Sequence, residues 1–576
     1  MILQALTRYY EDLLSLGLIA REGWAKAKVA YALDIGDDGS LLGLLHLQQE
    51  VMRGKKAVLV SQEREVPQPV KRSSGVSPNF LCDTSGYLLG ADAKGNPERT
   101  AACFAASRSL HERLLADVQG GAARAVLAFF SHWDPAAAPQ HPALQQEWDD
   151  LMKSGGNLLL WYHGAPVSDD PQVREAWQQA YAQTDTDDAA LCLVTGRRGP
   201  IARLHPNIKG VVGAQSGGAS LVSFNEPAFC SYGHEQGDNA PTDEYAASAY
   251  TKALNYLIAD QEHMHRTGDT TVVCWAEGGQ PAYQDCAMAA LYDDTYSERD
   301  IQNVMARLAR GEAVDWQEQR LDPHTRFYVL GLAPNAARLS VRFFWQNSFG
   351  VLAQNVARHH ERLKIIHGAG DKRETLSIWR LLRETVNQNA RNPQPDPRLA
   401  GDLLEAVLNN TRYPATLLNG VTLRIRAEHR VTRGRAAILK AWYLRNSQDE
   451  QLKEVMTVEL NEKSTYLPYV LGRLFSVLEA VQQSANPGIN TTIKDRYFNS
   501  ASATPASVFP LLINLAQKHL AKLEGGLAVY YSKRITELNA RITQTLPARL
   551  SLAEQSAFQI GYYHETQKRY TKKEEQ

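Results

Sequence analysis

The chain has 576 residues, of which 44% are hydrophobic and 22% are charged, with 39 glycines and 25 prolines. This composition excludes a disordered, a collagen-like and a disulfide-rich chain, and the length is enough for about three or four folding units. The 62 basic and 63 acidic residues give a formal charge of −1, so the total charge indicates neither a nucleic-acid nor a membrane partner.

The cysteines and the hydropathy pattern indicate the compartment. Six scattered cysteines form no C-x-x-C pair, which argues against a zinc ribbon and a secreted disulfide framework. No segment approaches the roughly 18 uninterrupted apolar residues that span a bilayer. We therefore expect a cytoplasmic protein without a membrane segment.

Residues 1–340 are predicted to form an α+β domain. The N-terminal MILQALTRYYEDLLSLG predicts a helix, because Glu11 and Asp12 interrupt the apolar stretch that a secretory signal needs. Short apolar runs bounded by turn residues then predict strands. They are KKAVLVSQE, GNLLLWYHG, ALCLVTG, GASLVSF, DTTVVCWAE and, by its alternation, RLSVRFFW.

The second half is predicted to be mostly α-helical. Apolar residues recur three and four positions apart in LSIWRLLRETV and from Leu467 to Val481. Three prolines in residues 390–398 predict a connector. A small bundle is expected over residues 456–576, with Pro510 in the first turn of one helix and Gly525-Gly526 after its end. A last helix should run from Leu550 to His564, before a tail that frays.

Charge is arranged in blocks along the chain. Residues 226–300 contain 14 acidic and 3 basic side chains, whereas residues 338–445 contain 19 basic and 8 acidic ones. Opposite blocks cancel in the total but give a dipolar surface, one face of which could attract a polyanion. Solvated helix faces that serve solubility are an equally good interpretation.

The sequence contains no evident catalytic constellation. His111-Glu112 lacks the second histidine of a zinc-protease helix, and no cofactor or metal site is predicted. The Gly-rich GVVGAQSGGASLVSFN lacks the Lys-Ser/Thr of a nucleotide loop. Its glycines would let a backbone approach base edges or phosphates, with Gln215 and Ser216 as donors and acceptors, or they simply form a tight turn before a strand.

Several long strings carry a family resemblance. They are ILQALTRYYEDL at the N-terminus, PNFLCDTSGYLLG (78–90), HPNIKGVVGAQSGGASLVSFNEPAFCSYG (205–233), RLSVRFF, GRLFSVLEAVQQ, TTIKDRYFNSASATPASVFPLL and IGYYHETQKRY (560–570). Together they resemble the large subunit of the type I-C CRISPR Cascade complex, over essentially the whole chain.

The resemblance implies a non-catalytic subunit of an RNA-guided surveillance complex in antiviral defence. Such a subunit contacts the 5′ handle of the guide RNA and reads the protospacer-adjacent motif (PAM) in double-stranded DNA. It also stabilises the R-loop and helps recruit a helicase-nuclease. The implied partners are guide RNA, target DNA, the backbone, guide-processing and small subunits, and the helicase-nuclease. Base pairing supplies most of the sequence information in such systems.

Within this role, two sets of residues are predicted to bind nucleic acid. For PAM contact we expect Lys71, Arg72 and Asn79 in VKRSSGVSPNF, and Lys209, Gln215 and Ser216 in the Gly-rich segment. For contact with the nucleic-acid backbone we expect Arg424, Arg426, Arg430, Arg433 and Arg435. Lys494 and Arg496 flank a Ser/Thr/Asn-rich segment predicted to be a loop that binds phosphates, although a packed loop is equally credible.

The resemblance also implies a domain assignment. Residues 1–340 would recognise the PAM and the guide handle, residues 341–455 would form a basic helical region, and residues 456–576 would form the bundle. Type I-C loci often make their small subunit from an internal start, and Met456 is the candidate here. Met456 as an ordinary helical residue, or a non-Met start codon, is the alternative.

Two other functions remain open from the sequence. A free-standing DNA-binding protein fits the basic block, but no helix-turn-helix or similar motif is recognisable. A metal-dependent nuclease would need converging carboxylates such as Asp293, Asp294 and Asp300, and Asp-rich turns are far commoner than metal sites.

Overall fold

The computed structural model describes residues 1–53, 56–70, 72, 75–93, 95–182, 189–261, 263–292, 298–368, 370–371, 373 and 375–570. The chain divides into two compact units. The first unit is Met1–Pro206 with Ser223–Ala253, and the second is Asn207–Val222 with Leu254–Gln576. Within the described residues, no helix combines the length and apolar character needed to cross a membrane.

The first unit is built on a sheet with seven described strands. They are β1 (Trp24–Ile35), β2 (Leu41–His46), β3 (Gln48–Arg53), β4 (Lys56–Pro67), β5 (Cys82–Asp83), β6 (Asn157–Tyr162) and β7 (Ala165–Pro166). The order is β3-β4-β1-β6-β5, with β2 paired to β1 and β7 to β6. Only the β1–β6 pair among these is parallel.

Six described helices accompany this sheet, and all but the first contribute buried residues to its core. They are α1 (Ile2–Ser15), α2 (Ser85–Leu88), α3 (Pro97–Leu115), α4 (Gly121–His132), α5 (Trp148–Ser154) and α6 (Pro171–Ala182). Leu33, Leu158 and Leu160 of the sheet are buried in one cluster with Val126 and Phe129 of α4. A hairpin follows, β8 (Ala189–Leu191) with β9 (Arg198–Pro200), and then α7 (Glu244–Ala259), which runs through the boundary between the units. Short 3₁₀ turns lie at Ala138–Gln140, Val167–Asp169, Pro227–Phe229 and Gln236–Asn239.

The second unit begins as an antiparallel sheet and continues as helices. The strands β10 (His265–Thr267), β11 (Thr270–Ala276), β14 (Arg326–Asn335) and β15 (Arg338–Ser348) lie in that order, and β12 (Val314–Trp316) pairs with β13 (Gln319–Leu321). The helices are α8 (Ala282–Tyr292), α9 (Glu298–Ala309), α10 (Phe349–Leu363), α11 (Ile378–Arg383), α12 (Pro397–Leu408), α13 (Ala415–Glu428), α14 (Arg433–Asn446), α15 (Glu450–Glu454), α16 (Leu467–Ala485), α17 (Ile493–Ala503), α18 (Pro505–Leu520), α19 (Gly525–Asn539) and α20 (Leu552–Tyr570).

The centre of the C-terminal bundle is the crossing of α16 and α20. Every residue of α16 from Pro468 to Val481 is buried. A side chain at Gly472 would put its Cβ 1.9 Å from the carbonyl oxygen of Phe558, and one at Gly561 would be 2.2 Å from that of Tyr469. Glycine is therefore required at both positions for the two backbones to approach this closely.

The α+β class and the change to helices in the second half are confirmed. The compact units, however, do not follow the predicted boundary at residue 340. The reason is that β11, β14 and β15 share one hydrophobic core with the helices that follow them, so residues 341–455 and 456–576 both lie inside the second unit.

Several predicted elements differ from the structure. ASLVSF is not a strand; it makes only isolated bridges, between Ile208 and Ala219 and between Ser220 and Arg338. The predicted loop TTIKDRYFNSASATP is largely the helix α17, because Thr492 and Asp495 form a capping box at its start. Pro510 lies inside α18 rather than in its first turn, and Gly525 begins α19.

Candidate nucleic-acid interface

The Gly-rich loop, residues 207–222, is anchored at its base to the second unit. Ile208 and Ala219 exchange two backbone hydrogen bonds of 2.9 Å. The Ser220 N–H donates to the carbonyl of Ala337 at 3.1 Å, and the Leu339 N–H donates to the carbonyl of Ser220 at 2.9 Å. The loop therefore projects from the start of β15 as a fixed turn.

The three residues predicted in this loop are all exposed. The backbone N–H of Lys209 donates to the side-chain oxygen of Asn255 at 2.8 Å, and the Lys209 side chain is exposed. At the other end, the Gly218 N–H donates to the carbonyl of Gln215 at 2.9 Å and closes a turn around Ser216. The structure thus presents one cation and two polar side chains on a single rigid loop.

Two adjacent glycines of this loop differ in what the fold requires. Gly218 has φ +91°, and a Cβ there would lie 2.7 Å from the carbonyl oxygen of Ile208. Gly217 is exposed, lies outside the left-handed region, and a Cβ there would meet nothing within 4 Å. The tight turn therefore explains why position 218 is a glycine. Neither the backbone conformation nor the packing requires a glycine at position 217.

Arg72 and Asn79, predicted as DNA contacts in the first unit, both donate hydrogen bonds to the buried carboxylate of Asp83, the first through its side chain and the second through its backbone N–H. Arg72 forms two hydrogen bonds with Asp83 and one of 2.6 Å to the carbonyl of Ser77, and its guanidinium lies over the Tyr87 ring. The Asn79 N–H donates to Asp83 at 2.8 Å, and its side-chain oxygen accepts from the Val70 N–H.

This network gives Arg72 a structural partner, and its contact with DNA stays a prediction. Asp83 is fully buried, so its charge needs the paired guanidinium, whereas the Arg72 side chain itself is 27% exposed. Lys71 lies outside the described residues.

The run of arginines from 424 to 435 divides into two groups. Arg424 is half-buried, 3.6 Å from Glu428, while Arg426 and Arg430 are exposed. Arg426 also donates to the side-chain oxygen of Gln555 at 2.8 Å. These three residues remain at the surface, at the end of α13 and just after it.

Arg433 and Arg435 do not fit the prediction of a nucleic-acid contact. Arg435 is 2% exposed and pairs with Glu428 at 2.6 Å and Glu384 at 3.3 Å. Arg433 is 11% exposed and lies 3.0 Å from Asp371. Partial burial acts to raise the pKa of Asp371, but hydrogen bonds from Arg373 and Arg433 outweigh it and hold that pKa well below its ordinary value. Both arginines therefore neutralise carboxylates inside the fold.

The second predicted basic segment lies beside the first. Asn499 of α17 donates to the carbonyl of Arg426 at 2.9 Å and contacts Nε2 of His429 at the same distance. Arg496 of the same helix is exposed, whereas the Lys494 ammonium lies 3.9 Å from buried Glu479. We call the residues Arg424, Arg426, Arg430 and Arg496 the basic surface.

Met456 lies directly after α15 and is 2% exposed. Helices α16 to α20 follow it in the chain. They also contact earlier segments of the same unit: the Ser556 hydroxyl donates to the Tyr443 hydroxyl of α14, and the Tyr563 hydroxyl donates to the carbonyl of Ile366, after α10. A separate 456–576 segment would therefore expose surface that the full chain covers.

One histidine of the second unit is held between two carboxylates. His263 contacts Asp260 and Asp285 through its two ring nitrogens, each at 2.5 Å, and is 8% exposed. The hydrogen bond with Asp285 outweighs the effect of burial and, together with Asp260, raises the pKa of His263 to about 9. A charged imidazolium therefore joins the end of α7 to α8.

The carboxylates considered for a nuclease fall outside the side chains that the structure describes. Among the described residues, no group of three His, Cys, Asp or Glu side chains is arranged to hold a metal ion. Asp293 and Asp294 lie outside the described residues, and the side chain of Asp300 does too.

Sequence reasoning missed the separate status of Gly217 and the contact between α13 and α17. A single sequence contains no signal for either feature. Gly217 is distinguished only by the open space that a Cβ would meet there, and α13 and α17 are brought together only by the tertiary fold.

Comparison with known proteins gives one result for the whole chain. A family model described as CRISPR-associated protein (Cas_Csd1) matches residues 6–570. No curated protein matches the chain.

Proposed function

We propose a function from the premise that the chain belongs to the Cas_Csd1 family of CRISPR-associated proteins. It is the non-catalytic large subunit of a type I-C RNA-guided complex, located in the cytoplasm. In this role it recognises the PAM in double-stranded DNA, contacts the guide RNA 5′ handle, stabilises the R-loop and helps recruit a helicase-nuclease. Its further partners are the backbone, guide-processing and small subunits.

The observation that carries the proposal is the rigid, exposed Gly-rich loop. A glycine that packing does not require, Gly217, stands beside Gln215 and Ser216, both of which can donate and accept hydrogen bonds. A missing side chain lets a backbone come close to a nucleic acid, and amide groups can pair with base edges in a groove. Lys209 supplies the phosphate contact on the same loop.

The basic surface is the proposed track for the nucleic-acid backbone. Its four arginines lie on adjacent elements joined through Asn499. Phosphate contacts of this kind position a strand without reading its sequence. Lys71, Arg72 and Asn79 remain proposed DNA contacts of the first unit, and Lys494 remains a proposed phosphate contact. Arg433 and Arg435 are withdrawn because they are held inside the fold.

The test is target binding by the assembled complex over a library of duplexes that differ only in the PAM. Gln215→Ala and Ser216→Ala should flatten the motif preference, by about 5–100-fold at the affected position, because a base contact is lost. Lys209→Ala should weaken all targets by a similar factor. Unchanged binding and preference in the triple variant would contradict the proposal.

We also propose that Met456 begins a separately made small subunit, residues 456–576. Support comes from α16 and α20, which cross closely within that segment. The uncovered surface of a free segment around Ser556 and Tyr563 would then meet another subunit. Mass spectrometry of the purified complex tests this, and the absence of a C-terminal fragment would rule it out.

Two alternatives are separated by simple observations. A free-standing DNA-binding protein would purify without a single small guide RNA, whereas the proposed subunit should carry one within its complex. A nuclease would cut DNA as the isolated chain in the presence of Mg²⁺, and we expect no cleavage.

A further inference from the structure

Residues 225–239 of the first unit form an exposed loop that carries two aromatic side chains. We call this segment the aromatic loop. Tyr232 is 100% exposed and Phe229 is 38% exposed, and most of the residues between 225 and 235 are exposed with them. Aromatic side chains bury large apolar areas when they can, so a ring wholly in solvent at a loop tip points to a contact outside the chain.

The backbone at Tyr232 is unusual for a tyrosine. Tyr232 has φ +55° and Gly233 has φ +76°, and the His234 N–H donates to the carbonyl of Ser231 at 3.0 Å. Two successive positive φ values inside this hydrogen bond define a mirror-image turn, which favours Asn, Asp or Gly at the position that Tyr232 occupies. Tyr232 therefore adopts a backbone conformation that is unfavourable for tyrosine, and its fully exposed ring makes no packing contact that would offset this cost.

The loop is nevertheless firmly held. The side-chain oxygen of Asn239 accepts from the Ser231 N–H at 2.8 Å, and its amide donates to the carbonyls of His234 at 3.2 Å and Gln236 at 3.0 Å. Gly237 is buried so closely that a Cβ would lie 2.1 Å from the carbonyl oxygen of Ala202. The ring of Tyr232 is thus presented on a preorganised turn, which reduces the entropy lost on binding.

The charge around the ring identifies the kind of partner. Glu226, Glu235 and Asp238 are exposed in the same loop, and the chain has no Lys or Arg between Lys209 and Lys252. Arg203 lies beside the loop, since its carbonyl accepts from the Gly237 N–H at 3.1 Å, so the three carboxylates and this arginine leave a net charge of −2. A net negative charge repels a phosphate backbone and attracts a basic surface. A nucleic acid that stacks on Tyr232 would have to bring its phosphates toward these carboxylates.

We propose that the aromatic loop docks a partner protein with a basic surface, and that Tyr232 is the anchor that enters a pocket flanked by Arg or Lys side chains. Tyrosine at the centre of a small interface is a common hot spot, and a guanidinium over its ring adds a cation–π contact. The surrounding carboxylates pair with the basic rim. This inference does not rest on the PAM-reading role, since it requires only a protein partner.

The direct test is photo-crosslinking in the assembled complex. Tyr232→p-benzoylphenylalanine places the reactive group at the tip of the loop, and mass spectrometry then identifies what it touches. We expect a crosslink to a protein segment rich in Arg or Lys. A crosslink to nucleic acid alone, or no crosslink above that of the same substitution at Tyr530, would overturn the proposal.

Substitutions separate docking from stability. Tyr232→Asn should leave the melting temperature of the full chain unchanged or slightly higher, because asparagine tolerates the turn and no packing is lost. The same variant should weaken the affinity for the crosslinked partner by at least about tenfold, as should Glu235→Lys combined with Asp238→Lys.

Two controls complete the comparison. Tyr530→Asn, which removes a half-exposed tyrosine from α19, should change neither the melting temperature nor the affinity for the crosslinked partner. Binding of a short DNA duplex should be the same for wild type and Tyr232→Asn. A fall in melting temperature of several degrees for Tyr232→Asn, or a loss of duplex binding with partner binding intact, would contradict the assignment.

Discussion

At the scale of single residues, Gly217 and Gly218 make a matched pair. They are adjacent in one exposed loop, yet only Gly218 has a left-handed backbone and a crowded Cβ direction. The fold therefore requires glycine at position 218, whereas at position 217 only the proposed nucleic-acid ligand requires it.

We predict opposite effects for the two alanine substitutions. Gly218→Ala should lower the free energy of unfolding by about 2 kcal/mol, because the left-handed backbone and the carbonyl of Ile208 oppose a Cβ. Gly217→Ala should change it by less than about 0.5 kcal/mol. Urea denaturation measures both values.

Target binding completes this prediction. Gly217→Leu should weaken duplex binding by the assembled complex at least about tenfold while the fold stays intact, since a base-edge contact of about 1–3 kcal/mol is obstructed. Normal binding by Gly217→Leu would show that no nucleic acid approaches the loop at this point.

His263 gives a prediction for pH. Its folded pKa of about 9 lies above the value of about 6.5 for an unfolded histidine, so its stabilisation is complete below about pH 6.5 and is lost as the pH rises through 9. The loss should be about 3 kcal/mol, because the two pKa values differ by about 2.5 and each unit is worth about 1.4 kcal/mol. Urea denaturation of wild type and His263→Gln between pH 6 and pH 10 measures it, and their difference should shrink as the pH rises. A constant difference would mean that the imidazole is not charged in the fold.

At the scale of elements, the α16–α20 crossing contains a buried ion cluster. Glu565 is 5% exposed and accepts hydrogen bonds from Arg473 at 3.0 Å and from Arg534 at 2.8 Å. Removal of one partner from such a cluster leaves a charge buried without compensation.

Glu565→Ala should therefore lower the free energy of unfolding by about 3–5 kcal/mol. The control is Glu537→Ala, which removes the 44%-exposed carboxylate that also pairs with Arg534 and should cost less than about 1 kcal/mol. An equal loss of unfolding free energy in Glu565→Ala and Glu537→Ala would show that the stability of the cluster does not depend on its burial.

The elements that the sequence predicted well are those whose apolar pattern matches the packing. The predicted helix Leu467–Val481 lies inside α16, and the predicted strand RLSVRFFW lies inside β15. In both segments the spacing of the apolar residues along the sequence matches the side chains that are buried. The failures have tertiary causes. Buried Val508, Phe509 and Leu512 continue α18 through Pro510, and the segment after Gly218 is held by two bridges rather than a strand.

The same reasoning explains the candidate site. Exposure of Lys209, Gln215 and Ser216 followed from polar residues in a Gly-rich turn. The ion pairs of Arg72 and Arg435 did not follow from the sequence. Asp83 lies 11 residues from Arg72, and Arg435 pairs with Glu428 and Glu384, which lie 7 and 51 residues away, so only the tertiary fold shows which carboxylate each arginine meets. A charge count cannot distinguish an arginine that neutralises a buried carboxylate from one that meets solvent.

At the scale of the whole molecule, the block of 19 basic residues is only partly available to a polyanion. Arg433 and Arg435 are held inside the second unit, whereas the basic surface, which adds Arg496 from outside the block, faces solvent. The attraction of the block for a polyanion therefore comes from its exposed members, such as Arg426 and Arg430, and not from Arg433 and Arg435.

Replacement of the four arginines of the basic surface by alanine should reduce the salt dependence of target binding. Each lost phosphate contact lowers the slope of log K against log salt by about 0.7–0.9, so the total change should be about 3. Filter binding at several salt concentrations measures it. Arg320→Ala, an exposed arginine on β13, should leave the slope unchanged. An unaltered slope in the fourfold variant would place the nucleic acid elsewhere.

The burial of α16 on all sides has a consequence during synthesis on the ribosome. Its cover includes α20, about 70 residues further along the chain. Until that later helix has emerged from the exit tunnel, a nascent chain exposes 14 consecutive residues that the folded chain buries, most of them apolar apart from Arg473, Ser476 and Glu479, and chaperones bind surfaces of this kind.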